Sequence, residues 1–294
     1  MKETKLYKKT EDCSIRMDIY YQVPGAPVIV YIHGGALIFG SRRDITEAQV
    51  EYFKTAGFNV ISIDYRLAPE TKLDEIVEDV RDAVKWIQSR TAEWYDMDTE
   101  RLIFFGSSAG GYLSLLLGTM PDLKPMAIIS MYGYGDILGE WYSEPSAFYL
   151  KKKPVDLTTA EQFVGKYGTT DGSAERFMYY LFCRQHGLWV EKISGMSRLE
   201  NLENLRAFNP IDHLDASFPP TIFLHGDSDT DVPFEQSVLM HNQLNLLGVK
   251  TELVTMTGAD HGFDKVFSSQ EVQDAYDQIV EFINSLIKSE PNRS

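Results

Sequence analysis

The sequence predicts an α/β fold, an eight-stranded and mostly parallel sheet flanked by helices, with a helical cap inserted late in the chain. Three observations carry this expectation. Short β-branched runs alternate with stretches of helical periodicity; the alternation breaks between residues 134 and 218; and Gly106-Ser107-Ser108-Ala109-Gly110 stands where a buried strand gives way to an apolar helix. With 294 residues, 44% of them hydrophobic, the chain is long enough to bury a substantial core.

In chain order, Leu6 to Lys9 and Ile15 to Gln22 read as an opening antiparallel pair. Val28 to Ile32, Val60 to Asp64, Leu102 to Phe105, Met126 to Ser130, Thr221 to Leu224 and Thr251 to Met256 have the β-branched and aromatic content of buried strands. Between them, Leu73, Ile76, Val77, Val80, Val84 and Ile87 recur at three- and four-residue steps, which predicts a helix over Glu70 to Arg90. Tyr112 to Leu117, Ser237 to Leu247 and Val272 to Ile287 read as helices too, and the tail from Lys288 to Ser294 is expected to fray. Residues 1–133 and 219–294 are therefore expected to form one domain, with 134–218 as an inserted helical cap. The cap's aromatics, among them Trp141, Tyr142, Tyr149, Phe177, Tyr180 and Trp189, fit either a pocket lining or the cap's own core.

Charge narrows the partners. A formal net charge of −15 opposes binding to a phosphate backbone, so no nucleic-acid partner is expected. The run Lys151-Lys152-Lys153 reads as a solvated loop ending at Pro154. No segment has the ~18 consecutive apolar residues of a membrane span, and Met1 to Lys5 lead into no apolar signal core, so a cytoplasmic protein is expected. Cys13 and Cys183 are far apart and outside any metal-ligand spacing, which reads as two free thiols.

The Gly-Ser-Ser-Ala-Gly segment matches G-x-S-x-G, in which the central serine rides a sharp strand-to-helix turn, and Ser108 is the candidate nucleophile. A serine hydroxyl is weak at neutral pH and needs a base, itself oriented by a third group. Among six histidines, His261 follows the last expected strand in the context His-Gly-Phe. His33 and His225 begin glycine loops, His186 and His213 fall in the cap or its exit, and His241 lies on a surface helix. For the acid, Asp227, Asp229, Asp231 and Asp260 compete; Asp229 is chosen because it sits at the crest of the loop after the strand Thr221 to Leu224. The order Ser, Asp, His, each after a strand, is that of an α/β hydrolase. Acyl transfer also needs donors for the oxyanion. The backbone N–H groups of Gly35 and Ala36, after the third strand, and of Ala109, at a helix start, are the candidates.

Taken together, His33-Gly34-Gly35-Ala36, Tyr65-Arg66-Leu67-Ala68-Pro69-Glu70, Gly106 to Gly111, His225 to Asp229 and His261-Gly262-Phe263 resemble the hormone-sensitive-lipase-like carboxylesterase group of the α/β-hydrolase superfamily. That resemblance implies hydrolysis of small-molecule carboxylic esters, with short to medium acyl chains, through an acyl-enzyme and without a cofactor or metal. It implies that the Tyr65 to Glu70 block is a structural loop. It leaves the oligomeric state open, a homodimer included. The chain departs from the group at Ala36, where a third glycine is usual, and at Ser107, where an acidic residue is common. The cap keeps little of the group's pattern, so substrate preference does not carry over. Two other readings stay open: an amidase or peptidase on the same triad, of formamidase or aryl-acylamidase type, and a ligand-binding protein that reuses the fold without turnover.

Overall fold

Eight strands form in a computed structural model that describes residues 2–289, the side chains of 91–94 excepted. They are β1 (Lys2–Lys9), β2 (Ser14–Tyr20), β3 (Pro27–Ile32), β4 (Asn59–Ile63), β5 (Asp98–Ser107), β6 (Ala127–Met131), β7 (Thr221–Gly226) and β8 (Thr251–Met256). All lie in one sheet, in the order β1-β2-β4-β3-β5-β6-β7-β8. The opening pair is antiparallel, as is β2 against β4, and every later pairing is parallel. Every residue of β3, β4, β6 and β7 is buried, as strands covered on both faces require.

Register is what places the chemistry. Ile32 pairs with Gly106 across β3 and β5, so the loop after β3 and the turn after β5 emerge side by side. Gly226 pairs with Met256 across β7 and β8, which does the same for the two loops that follow those strands. Both pairs of loops leave the carboxyl edge of the parallel sheet, where ligands bind in open α/β folds.

The helices are α1 (Glu47–Thr55), α2 (Leu73–Tyr95), α3 (Ala109–Gly118), α4 (Glu140–Ser143), α5 (Leu157–Glu161), α6 (Phe177–His186), α7 (Trp189–Ser194), α8 (Leu202–Arg206), α9 (Glu235–Leu246) and α10 (Gln270–Ser289). Helix α2 starts at Leu73 instead of the expected Glu70, because the backbone is still extended at Lys72, at φ −90 and ψ 163; the Glu70 carboxylate instead accepts from Arg176 and from the Gly165 N–H. Helix α1 was not anticipated. Its signal is a capping box, in which Thr46 Oγ1 accepts from Gln49 N at 3.2 Å and Gln49 Oε1 accepts from Thr46 N at 2.9 Å. Lys288 and Ser289 close α10, and the remainder of the expected frayed tail lies outside the described residues.

The sheet has a core on each face. One face carries α1 and α10, through Phe53, Phe105, Tyr276 and Ile279; the other carries α2 and α3. Residues of 134–218 join this second core. Tyr142, Trp189 and Ile193 are buried with Tyr112, Leu37 and Ile38 in one continuous cluster, and the rings of Tyr142 and Trp189 stack 3.9 Å apart. The aromatics of this segment thus divide between the two readings that the sequence left open. Tyr142, Trp189, Tyr179 and Phe182 are core, Phe177 lines a cavity, and Tyr149 and Tyr180 belong to the core while also lining that cavity. Cys13 and Cys183 are free, and burial pushes the Cys183 thiol up to about 12.

Candidate active site

The turn after β5 is shaped by two glycines. A Cβ at Gly106 would meet Gly110 O at 2.0 Å, and one at Gly110 would meet Ile32 O at 1.9 Å, so neither position has room for a side chain. Ser108 stands between them at φ 53 and ψ −119, a conformation rare for a residue with a Cβ. Its N–H donates to Met131 O at 2.9 Å and its carbonyl accepts from Tyr112 N at 3.0 Å, which ties this sharp turn to β6 and α3. The side chain projects at the sheet's carboxyl edge.

Ser108 Oγ lies 3.1 Å from His261 Nε2, and His261 Nδ1 lies 2.8 Å from Asp229 Oδ2. These three residues, distant in sequence, form one hydrogen-bonded line. Asp229 is wholly buried as a side chain; its Oδ1 accepts from the N–H groups of Asp231 and Val232 at 2.8 and 2.9 Å. Burial pushes the Asp229 carboxyl up, but the hydrogen bonds from His225 and His261 prevail and hold it well below the usual carboxylate range. His261 is pushed down by burial, and the Asp229 hydrogen bond with the charges of Asp231 and Asp229 outweighs that, so its pKa is raised.

The competing residues sort by their contacts. Asp227 accepts from Gly258 N at 2.6 Å, and Asp260 Oδ1 accepts from the N–H groups of Thr230 and His261, each at 2.8 Å, stapling the two loops together. His33 Nδ1 lies 2.8 Å from Gly34 O, and the ring stacks on Tyr65 at 4.1 Å. His213 meets Arg206 O and His241 meets Thr251 Oγ1. His225 does more than bond to backbone. Its Nε2 is 3.0 Å from Val232 O and 3.2 Å from Asp229 Oδ2.

Beside Ser108 the chain of residues 34–40 folds back over the turn. Gly34, Gly35 and Ala36 line a cavity of about 680 Å³ together with Ser108, His261 and Asp231. Among the described residues, no protein acceptor meets the N–H of Gly35 or of Ala36. Ala109 is the first residue of α3, where a backbone N–H has no partner within the helix. Phe39, Tyr149, Phe177 and Tyr180 line the cavity as well, as do Tyr31, Thr46, Gln49 and Asp264. Among the described residues no group of three or more His, Cys, Asp or Glu is arranged to hold a metal.

Of three further residues near the site, the sequence offered Asp231 only as a competing acid and Trp189 only as a cap aromatic, and did not mark Tyr132. Tyr132 packs its ring 4.6 Å from that of His261, and its hydroxyl donates to the buried Asp264 carboxylate. Asp231 Oδ2 stands 3.8 Å from His261 Nε2, while its Oδ1 accepts from Tyr180 OH at 2.6 Å. Trp189 reaches from α7 to the loop after β3, its Nε1 donating to Ala36 O at 3.0 Å.

A parallel sheet with this strand order, a serine on a sharp turn at its carboxyl edge and a histidine loop beside it define an α/β hydrolase. A family model described as BD-FAE matches residues 17–244, and the chain belongs to that family. It is similar in structure to an α/β-hydrolase superfamily protein from Enterococcus faecalis, at TM-score 0.78 and 23% identity over 97% of this chain and 99% of that one. It is also similar to a thermophilic esterase from Thermogutta terrifontis, at TM-score 0.71 and 24% identity over 99% and 95%. In sequence it is similar to a non-reducing polyketide synthase of Penicillium brasilianum, 26% identical over 97% of this chain. The chain spans only 14% of that synthase's length. No described helix is long and apolar enough to cross a membrane.

Proposed function

We propose that the protein is a serine carboxylesterase in which Ser108, His261 and Asp229 form the catalytic triad. The observation that carries this is the unbroken line from Ser108 Oγ through His261 to Asp229, at 3.1 and 2.8 Å. Ser108 Oγ attacks the ester carbonyl carbon while His261 Nε2 takes its proton. Asp229 accepts from Nδ1–H, holding the ring's tautomer and stabilising the imidazolium that forms. The negative charge on the carbonyl oxygen is met by the N–H groups of Gly35, Ala36 and Ala109. The tetrahedral intermediate collapses, the alcohol leaves with the proton from Nε2, and an acyl-enzyme remains. Water then gives a proton to Nε2 as it attacks the acyl carbon, and the second tetrahedral intermediate collapses with Ser108 Oγ taking that proton back from Nε2 as the acid is released.

Residues 134–218, as a cap, select the ester. The aromatic wall of Phe39, Tyr149, Phe177 and Tyr180 favours short to medium acyl chains, since a cavity of about 680 Å³ is of small-molecule size. The triad serves amides as well as esters, so a matched p-nitrophenyl ester and anilide separate the two by their ratio of kcat/KM. Ser108→Ala is expected to abolish hydrolysis of p-nitrophenyl acetate and butyrate, and to abolish labelling by a fluorophosphonate seen as a mass shift on the intact protein. A variant that keeps a tenth of wild-type turnover overturns the assignment.

A further inference from the structure

The loop that carries two of the three oxyanion donors holds an unfavourable backbone. Ala36 and Leu37 both have positive φ, at 53 and 63, although neither is a glycine. For a residue with a Cβ this left-handed region is disfavoured, and it persists where the surroundings over-determine it. Swinging Ala36 back to negative φ, with the loop's ends fixed, would rotate the peptide between Gly35 and Ala36. That peptide bears the Ala36 N–H. Whatever pins Ala36 therefore also aims an oxyanion donor.

The pins come chiefly from residues 134–218. Trp189 Nε1 donates to Ala36 O at 3.0 Å, and Arg176 Nε donates to Ile38 O at 2.6 Å. Gly40 and Gly172 exchange backbone hydrogen bonds at 3.1 and 3.2 Å. From the sheet side, Ala68 N is the one donor into the pair among the described residues, to Leu37 O at 2.8 Å. Trp189 is fully buried and clamped against Tyr142, with ring planes 10° apart, so its donor has little freedom to wander. It holds the one carbonyl that belongs to Ala36 itself.

We infer that Trp189 is a positioning residue for the oxyanion loop: through Ala36 O it keeps the strained Ala36-Leu37 pair left-handed, and so keeps the Ala36 N–H aimed at the oxyanion. The inference rests on the proposed oxyanion role of Gly35 and Ala36. It makes the segment over the site part of the rate machinery as well as a filter. The clamp matters most when charge develops on the carbonyl oxygen, so its loss falls on kcat more than on KM.

Two replacements test it: Trp189→Phe, which shortens the ring and removes the donor, and benzothienylalanine at position 189, which keeps the ring's volume and lacks only the N–H. The second carries the test if the first does not fold. Substrates are p-nitrophenyl acetate and its thiono analogue, whose C=S sulfur is a poor acceptor and gains little from N–H donors. In the wild type the oxygen ester is expected to be strongly preferred. In the variants kcat for the oxygen ester is expected to fall about tenfold with KM within about twofold, and the preference over the thionoester to shrink, because a misaimed donor forfeits part of the ~10² to 10³ that one donor contributes. Ala36→Gly, which adopts positive φ without a Cβ penalty, is expected to restore most of the lost kcat in the Trp189→Phe background. A folded donor-less variant with wild-type kcat, an unchanged preference for the oxygen ester, or no rescue by Ala36→Gly overturns the inference and leaves the oxyanion assignment standing. A wild-type enzyme that turns over both esters equally overturns the assignment itself, and the inference with it.

Discussion

His225 and His261 converge on one oxygen: Asp229 Oδ2 lies 3.2 Å from His225 Nε2 and 2.8 Å from His261 Nδ1. Two imidazoles thus hold a single buried carboxylate, and the hydrogen bond from His225 is the largest influence keeping that carboxylate ionised. His225 is itself braced, with Nδ1 2.7 Å from Ser237 Oγ, so it can act as a fixed strut behind the triad. Replacing His225 by Asn or Ala removes a brace and leaves the line from Asp229 to Ser108 in place. We expect kcat/KM toward p-nitrophenyl acetate to drop about tenfold, or about 1.4 kcal/mol in the barrier, well short of the effect of losing Ser108. A drop of less than twofold in folded protein refutes this role.

On the proposed mechanism, Asp231 is expected to help set the pH at which activity is lost in acid. Its Oδ2 is 3.8 Å from His261 Nε2, and its negative charge is one of the influences that raise the His261 pKa. The sign follows directly. His261 must be neutral to accept the Ser108 proton, so activity falls as pH drops through its raised pKa. Asp231→Asn removes a charge that favours the imidazolium, and the acid limb of kcat/KM is expected to move to lower pH. A limb that stays in place or moves upward in that variant shows that Asp231 acts only through Tyr180 and Arg184.

The fold and the residues brought together at the candidate site were legible for one reason: each is announced by its neighbours in sequence. β-branched runs mark the strands; Ser108 follows β5 directly, and Asp229 and His261 lie in the loops that leave β7 and β8. Helix α1 was missed because its cue is a single capping box, Thr46 with Gln49, on a short helix. Trp189 and Tyr132 could not be assigned because each makes its contact across the fold. Trp189 and Ala36 are 153 residues apart in the chain, and nothing beside either one points to the other. The aromatics of 134–218 posed the same difficulty. Tyr142 and Tyr149 are the same residue type a few positions apart, yet one stacks in the core and the other lines the cavity as well.

Gly110 is expected to tolerate no side chain at all. The Cβ of an alanine there would sit 1.9 Å from Ile32 O and 2.6 Å from His33 O, both backbone atoms of β3 and the loop leaving it. Neither can retreat without breaking the pairing of Ile32 with Gly106. Gly110→Ala is therefore expected to cost at least about 3 kcal/mol in urea unfolding and to remove activity with it. An active Gly110→Ala protein with a wild-type midpoint contradicts the close approach of this turn to β3.

Arg176 ties the segment above the site to the loop after β4, and its removal should be felt as stability that depends on pH. Its guanidinium donates to both oxygens of Glu70, at 2.8 and 2.7 Å, and to the carbonyls of Ile38 and Ala68. Both side chains are nearly buried, at 6% and 2% exposed. Arg176→Ala leaves a buried carboxylate unpaired and is expected to destabilise by about 3–5 kcal/mol at neutral pH, with Glu70→Gln in the same background recovering part of it. Burial pushes the Glu70 carboxyl up, but Arg176 and the Gly165 N–H outweigh it and set the folded pKa below the ordinary 4.5. A depressed carboxylate contributes stability that is present above the unfolded value and lost as pH falls through the folded one. The gap between wild type and Arg176→Ala in urea midpoints should therefore be widest near neutrality and narrow in acid, as Glu70 becomes protonated. A gap that stays constant down to pH values below the folded pKa would mean that Arg176 stabilises through its bonds to Ile38 O and Ala68 O alone.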